Sequence, residues 1–183
     1  MRILVTTRMI LRPLKFEDLD AFHAYCKKPN IGPSAGWKPH DTPEESFRIL
    51  KLMMTESDTW AMTLKSSDHI IGTISLHSGN LENALANKKE VGYALDDTYW
   101  GLGLAAEAVA AVQDYAFNTL ELDAVLCGHY VENSRSKRVI EKTGFTYTHI
   151  EERKNYQNIM VPIMMYELKK ETYKEKNQHD NQS

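Results

Sequence analysis

The chain has 183 residues, 42% hydrophobic and 26% charged, with a formal net charge of −3. That is enough for one domain with a real core, and the charge leaves no basic footprint for nucleic acid. No apolar run approaches a membrane span, residues 1–8 have too short an apolar core for a signal peptide, and two cysteines, Cys26 and Cys127, make neither a zinc site nor a disulfide framework.

The seven histidines show no metal-ligand spacing, so no metal is expected. Cys127 lies in an apolar run and reads as a buried free thiol, which fits a reducing cytoplasm. In chain order, residues 9–14 read as a strand stopped by Pro13. Residues 17–25 read as a helix: acids crowd its first turn, and Leu19, Phe22, Tyr25 and Cys26 form a stripe. Turn residues make 29–36 a loop. Trp37 to His40 follow, and Asp41 or Thr42 caps a second helix, with Pro43, Glu44 and Glu45 in its first turn. This pair of helices reads equally as a mobile lid or as plain packing over a sheet edge.

Residues 59–64 and 70–77 read as a hairpin of strands, and 78–89 as a polar loop. Residues 90–96 alternate: Val91, Tyr93 and Leu95 point one way, Glu90, Gly92 and Ala94 the other. Next comes Tyr99-Trp100-Gly101-Leu102-Gly103-Leu104-Ala105-Ala106-Glu107-Ala108, a glycine turn that opens a helix running to about Phe117. A strand over 124–131 completes a βαβ unit, so its two strands should be parallel. Asn133 suits the N-cap and Gly144 the C′ position of a last helix, anchored by Val139, Ile140 and Phe145. Strands over 145–152 and 159–168 close the fold, and Pro162 asks for an edge or a bulge. The chain thus reads as one domain over 1–168, with a frayed polar tail over 169–183.

The glycine turn carries the chemistry. A helix start offers unpaired N–H groups and the positive end of the macrodipole. Gly101 and Gly103, without Cβ, let a bulky anion approach the backbone. The bland alternative is a turn that merely starts a helix. Gly101-x-Gly103-x-x-Ala106 also fits the dinucleotide fingerprint, but that motif belongs to the first strand of a doubly wound sheet, and here it falls mid-chain.

The element order resembles that of the GNAT N-acetyltransferase superfamily, and within it the RimJ/RimL-like branch, from about Arg8 to Leu168. The residues that carry the resemblance are Leu11-Arg12-Pro13-Leu14, Ile71-Gly72-Thr73 to His77, and Glu90-Val91-Gly92-Tyr93. To these are added the glycine turn and Asn133-x-x-Ser136 through Gly144-Phe145. The resemblance implies a mixed α+β fold, with a mostly antiparallel sheet of about seven strands splayed at the fourth and fifth and helices on both faces. It implies acetyl-CoA as donor, with the pyrophosphate loop on Trp100, Gly101, Leu102, Gly103, Leu104 and Ala105. Trp100 stands where the superfamily pattern has Gln or Arg; an aromatic is usual there in the RimJ-like branch.

The chemistry needs a proton acceptor for the amine, a donor to the thioester carbonyl, partners for the pantetheine arm, and a donor for the leaving thiolate. Glu90 is the candidate base, with a solvated strand-start acid as its bland reading. A backbone N–H near Tyr93 or Ala94 would polarise the carbonyl, and Ala94 and Leu95 would line the arm. The tyrosine that many superfamily members use on the last helix is Ile140 here, so the resemblance points to Ser136 for the thiolate and to Asn133 for the arm. Their bland reading is a helix N-cap with a neighbouring hydroxyl. Trp37, His40 and His77 are candidates for the acceptor pocket; His77 and water are also the alternatives to Glu90 as base, although a satisfied structural role suits His77 better. Glu107 reads as a first-turn acid. The implied function is transfer of an acetyl group to a primary amine, a protein or peptide N-terminus, by direct attack in a ternary complex. Alternatives are a small-amine acetyltransferase (polyamine or aminoglycoside) and a non-catalytic acyl-CoA-binding sensor. The expected partner is the amine acceptor, without nucleic acid or membrane, for a cytoplasmic monomer or homodimer.

Overall fold

The computed structural model describes residues 1–56, 58–79 and 81–180. Among them, eight strands form one sheet: β1 (Leu4–Val5), β2 (Met9–Pro13), β3 (Thr59–Leu64), β4 (Ile70–His77), β5 (Lys88–Leu95), β6 (Ala124–Tyr130), β7 (Thr146–Lys154) and β8 (Met160–Lys169). Their spatial order is β1-β2-β3-β4-β5-β6-β8-β7. Every neighbouring pair is antiparallel except β5 and β6, which are parallel, as a crossover helix requires. The eighth strand is the short β1, which the sequence did not announce. It exists because Thr6 turns the chain, its N–H donating to the Met9 carbonyl and its hydroxyl oxygen accepting from the Met9 N–H.

The helices are α1 (Leu19–Cys26), α2 (Gly32–Ala35), α3 (Pro43–Glu56), α4 (Leu81–Leu85), α5 (Leu104–Asn118), α6 (Ser134–Lys142) and α7 (Lys170–Asp180). They cover both faces of the sheet. Val91 and Leu95 pack with Leu104, Val109, Val112 and Ile140 under α5 and α6. Ala61 and Ile70 pack with Phe22, Tyr25 and Leu50 under α1 and α3. Strand alternation makes this possible, because successive residues of β5 face opposite layers.

Three expectations change. The loops over 29–36 and 78–89 each contain one short helix, α2 and α4. The frayed tail is a helix over Lys170–Asp180: Tyr173 packs on Phe117, ring centroids 4.7 Å apart, and its hydroxyl donates to Asp114. One aromatic anchor suffices there, because β8 delivers the helix directly onto the domain. Pro162 lies inside β8, an interior strand, yet β6 pairs with β8 only over 163–169. At Pro162, β8 has β7 alone beside it, so the missing N–H falls at a local edge.

The sheet is continuous but weak at one place. Strands β5 and β6 pair only at Lys88, Lys89 and Glu90, opposite Ala124, Val125 and Leu126. Beyond Glu90 they part, and a fissure opens through the sheet, as the expected splay requires.

Candidate active site

The fissure leaves one edge of β5 without a partner strand. The Asp96 N–H donates to the Ile71 carbonyl at 2.8 Å, and the β4–β5 register runs from Gly72 opposite Leu95 to His77 opposite Glu90. Antiparallel pairing alternates, so even-numbered residues of β5 turn their backbone groups to β4. Val91, Tyr93 and Leu95 turn theirs to the fissure. The Leu95 carbonyl is taken by the Trp100 indole N–H at 2.8 Å. The Tyr93 N–H faces the gap, and Ala94 does not. A cleft of about 770 Å³ fills this gap and continues to the glycine turn.

At the turn, Gly101 and Gly103 both have φ of 77°, the left-handed region that favours glycine. Gly103 occupies the N-cap position of α5, with no side chain to cap it. A Cβ at Gly101 would meet nothing within 4 Å, so the space over it is open. The turn is braced from outside. Arg8 donates to the Leu102 carbonyl at 2.8 Å and pairs with Glu107 at 2.7 Å. Burial pushes the Glu107 carboxyl up, but the Thr6 hydroxyl and the Arg8 N–H and guanidinium outweigh it and hold the carboxyl below its usual range. Glu107 is therefore a structural acid. Lys28 and Asn30 grip Asp96 and Asp97 at the end of β5, and the hydrogen bonds from Asn30 and Lys28 lower the Asp97 carboxyl to about 2. Trp100 lines the cleft with the Arg135 guanidinium 4.0 Å over its ring.

The expected donor-binding residues come together. Ala94, Leu95, Trp100, Gly101, Gly103, Leu104, Ala105, Asn133 and Ser136 all line this cleft. Leu102 does not; its side chain is exposed and its carbonyl serves Arg8. The Ser136 hydroxyl lies 2.9 Å from the Tyr93 hydroxyl. Burial pushes the Tyr93 phenol well up, so it stays protonated and can donate. The Asn133 side chain accepts from the Ser136 N–H at 3.1 Å and donates to the Ser34 carbonyl at 3.1 Å. It caps α6 and also ties that helix to α2 across the open end of the fissure.

At the other end stands Glu90, only 7% exposed. Both its oxygens accept from Arg153, at 2.8 and 3.0 Å. Arg153 comes from β7, so the pair reaches across the fissure from the far part of the sheet. The guanidinium is raised further by Glu90 and by Glu151. Nothing in the sequence singled out Arg153, because Glu151-Glu152-Arg153-Lys154 reads as a solvated charge run. Tyr130 and His129 were missed for the same kind of reason, being unremarkable residues of an alternating strand. Their part of β6 becomes cleft wall only because β5 leaves it.

His77 lines the cleft beside Gly92. Trp37 and His40 do not line it. Their rings pack on each other at a tilt, centroids 5.2 Å apart, against the α1–α3 layer. His40 is buried, lies 2.8 Å from the Ser46 hydroxyl, and is lowered by burial, so it is a packing histidine. Cys127 is in the cleft wall, but its thiol is buried, and burial together with the Glu90 charge pushes it up. A neutral thiol is a poor nucleophile. Among the described residues, no cluster of His, Cys, Asp and Glu is arranged to hold a metal ion, and no helix is long and apolar enough to cross a membrane.

Comparison with known proteins agrees with this geometry. A family model described as an acetyltransferase (GNAT) domain matches residues 8–146. The uncharacterised N-acetyltransferase p20 of Bacillus licheniformis is 25% identical over 179 residues, covering 94% of this chain and 99% of that protein. The crystal structure of an acetyltransferase of the GNAT family from Bacillus anthracis superposes with a TM-score of 0.83 at 22% identity, covering 93% of this chain and 99% of the other. Mycobacterium smegmatis RimJ, solved in complex with CoA-disulfide, superposes with a TM-score of 0.77 at 15% identity, covering 93% of this chain and 88% of its own.

Proposed function

The chain belongs to the GNAT acetyltransferase family, and on that premise we propose that it acetylates the primary amine of a protein or peptide N-terminus. The family's N-acetyltransferases use acetyl-CoA as donor, and the residues of this chain fit it. The observation that carries the reading is the fissure in the sheet, open on one side to the unpaired edge of β5 and on the other to the glycine turn.

Each part then has a task. The N–H groups at the start of α5, with Gly101 and Gly103 open above them, receive the pyrophosphate. The pantetheine arm lies along the unpaired edge of β5 as an added strand would. The Tyr93 N–H is aimed at the thioester carbonyl, where negative charge grows as the amine attacks. Attack is direct, since the only thiol in the cleft wall among the described residues is the neutral Cys127. The carbon–sulfur bond breaks, and the Ser136 hydroxyl, backed by the Tyr93 hydroxyl, meets the departing sulfur.

A peptide acceptor is supported by a second groove of about 480 Å³. It shares Ser34, Tyr130, Asn133 and Arg135 with the cleft, and extends between α2 and the turn at Asn155, Tyr156 and Gln157. A chain continuing from the acetylated amine needs such an exit; a small amine does not. The RimJ/RimL-like assignment rests on the same reading and on the aromatic Trp100 at the head of the loop.

The test is free-thiol release over alanine-, serine- and threonine-initiated peptides, polyamines and aminoglycosides. Peptides are expected to lead in kcat/KM by about tenfold or more, the scale of discrimination that a few added pocket contacts give. Polyamines or aminoglycosides in the lead would overturn the acceptor. Tight acetyl-CoA binding with no transfer to any amine would make the protein a sensor.

A further inference from the structure

We infer that His77, and not Glu90, accepts the proton of the attacking amine; this rests on the acetyl-transfer reading above. Glu90 is at the right end of the cleft but is already committed. Protonating it would break two charge-assisted hydrogen bonds to Arg153 inside a largely buried pair. Its place is that of a strut.

His77 lies directly opposite Glu90 in the β4–β5 register, and its neighbour Ser75 lies opposite Gly92. The His77 Nε2 is 3.9 Å from the point where Gly92 would carry a Cβ. Because Gly92 carries none, the ring borders open cleft, one residue along the strand from the Tyr93 N–H. The side chain is half-buried and has no hydrogen bond or ion pair among the described residues. The other histidine in the cleft wall is fully engaged: His129 has Nδ1 2.8 Å from the Tyr130 carbonyl and Nε2 3.3 Å from the Tyr166 hydroxyl. The charged groups lining the cleft are Glu90 and Arg153, which pair with each other, and Lys154, Arg135, Arg138 and Lys142; Glu151 also pairs with Arg153.

The step balances. The amine nitrogen forms its bond to the carbonyl carbon and gives a proton to an imidazole nitrogen. The carbon–sulfur bond breaks, and sulfur leaves with a proton through Ser136 to give the CoA thiol. The imidazole then gives its proton to solvent from its exposed side, and solvent returns one to the Ser136 hydroxyl.

The test uses the full chain, an alanine-initiated peptide and acetyl-CoA. A proton acceptor on the enzyme should give wild-type kcat/KM a rise with pH of its own. The peptide's own amine, near pH 8, adds a separate rise above it. His77→Gln should lower kcat about 100-fold and lose the lower rise, with acetyl-CoA affinity by calorimetry and the melting temperature held. Added imidazole should restore part of the rate to His77→Ala. Glu90→Gln should keep the lower rise. A His77→Gln enzyme within threefold of wild type, or one that keeps the lower rise, would overturn the assignment, as would loss of that rise in Glu90→Gln. If the wild type binds acetyl-CoA but releases no thiol with any acceptor, the transfer reading itself falls, and this one with it.

Discussion

Ser136 sits where two jobs meet. Its N–H is capped by Asn133 at the start of α6, and its hydroxyl lies 2.9 Å from the Tyr93 hydroxyl inside the cleft. The capping bond uses the backbone of Ser136, so the hydroxyl is free of that duty. Ser136→Ala should cost little stability, about 1 kcal/mol or less. Turnover should fall while acetyl-CoA affinity holds, because the contact strengthens only as charge grows on sulfur. Tyr93→Phe should move kcat in the same direction, and the double variant should fall no further than the worse single one, since the two hydroxyls act as one unit. A kcat unchanged in Ser136→Ala, in a single-turnover assay, would leave Ser136 as scaffold. Asn133 was legible as a cap from its position alone. The Glu90–Arg153 pair was not: alternation placed Glu90 on the correct face, but its partner lies 63 residues on, just past the strand read over 145–152.

The glycine turn is the element whose geometry was most legible, because it is local. A strand pattern, two glycines and a helical pattern in sequence mark an open helix start without tertiary information. What the sequence hid is the brace on it, the Arg8 side chain reaching from the β1–β2 turn to Leu102 and Glu107. The short helices α2 and α4 were hidden for a different reason. One turn has no periodicity to read, and such turns form only because tertiary contacts stabilise them. The cradle reading makes a sharp demand at Gly101, where an added Cβ would meet no atom within 4 Å beyond its chain neighbours. Gly101→Val should therefore fold with only the strain of a left-handed backbone, about 1–2 kcal/mol. Whatever steric loss remains is felt by the ligand. The dissociation constant for acetyl-CoA should rise at least tenfold, read by calorimetry against the melting temperature. Gly103→Val is the weaker probe, since its Cβ would lie in ordinary contact, 3.6 Å, with Arg8, the side chain that braces the turn. Unchanged affinity in Gly101→Val would remove the cradle.

At the scale of the whole molecule, the sheet is two blocks held together narrowly. One block is β1 to β5, the other β6, β8 and β7, and only three residue pairs of parallel strand join them in the sheet. On the proposed reading the donor lies along the unpaired edge of β5, so folding must keep the fissure at one width. Besides the Tyr93–Ser136 and Lys88–Glu167 contacts, side-chain ties span it at its two ends: Asn133 to the Ser34 carbonyl at one, and Glu90 to Arg153 at the other. The second is the stiffer, a two-pronged pair with Glu90 9% and Arg153 34% exposed at the side chain. Removing one partner of a buried pair leaves the other charge unsatisfied, which costs about 3–5 kcal/mol when burial is complete. Solvent reaches Arg153 here, so the loss should be smaller, about 1–3 kcal/mol. Arg153→Met should thus lower the melting temperature more than Glu90→Gln does, because it strands a carboxylate, whereas Glu90→Gln strands a guanidinium that keeps Glu151 and water. The double variant Glu90→Gln/Arg153→Met should recover part of the loss, the signature of a coupled pair. If the pair also sets the fissure width, Arg153→Met should weaken acetyl-CoA binding although Arg153 stands at the acceptor end, and the double variant should not restore it. Additive stabilities together with unchanged affinity would reduce the pair to an ordinary surface contact.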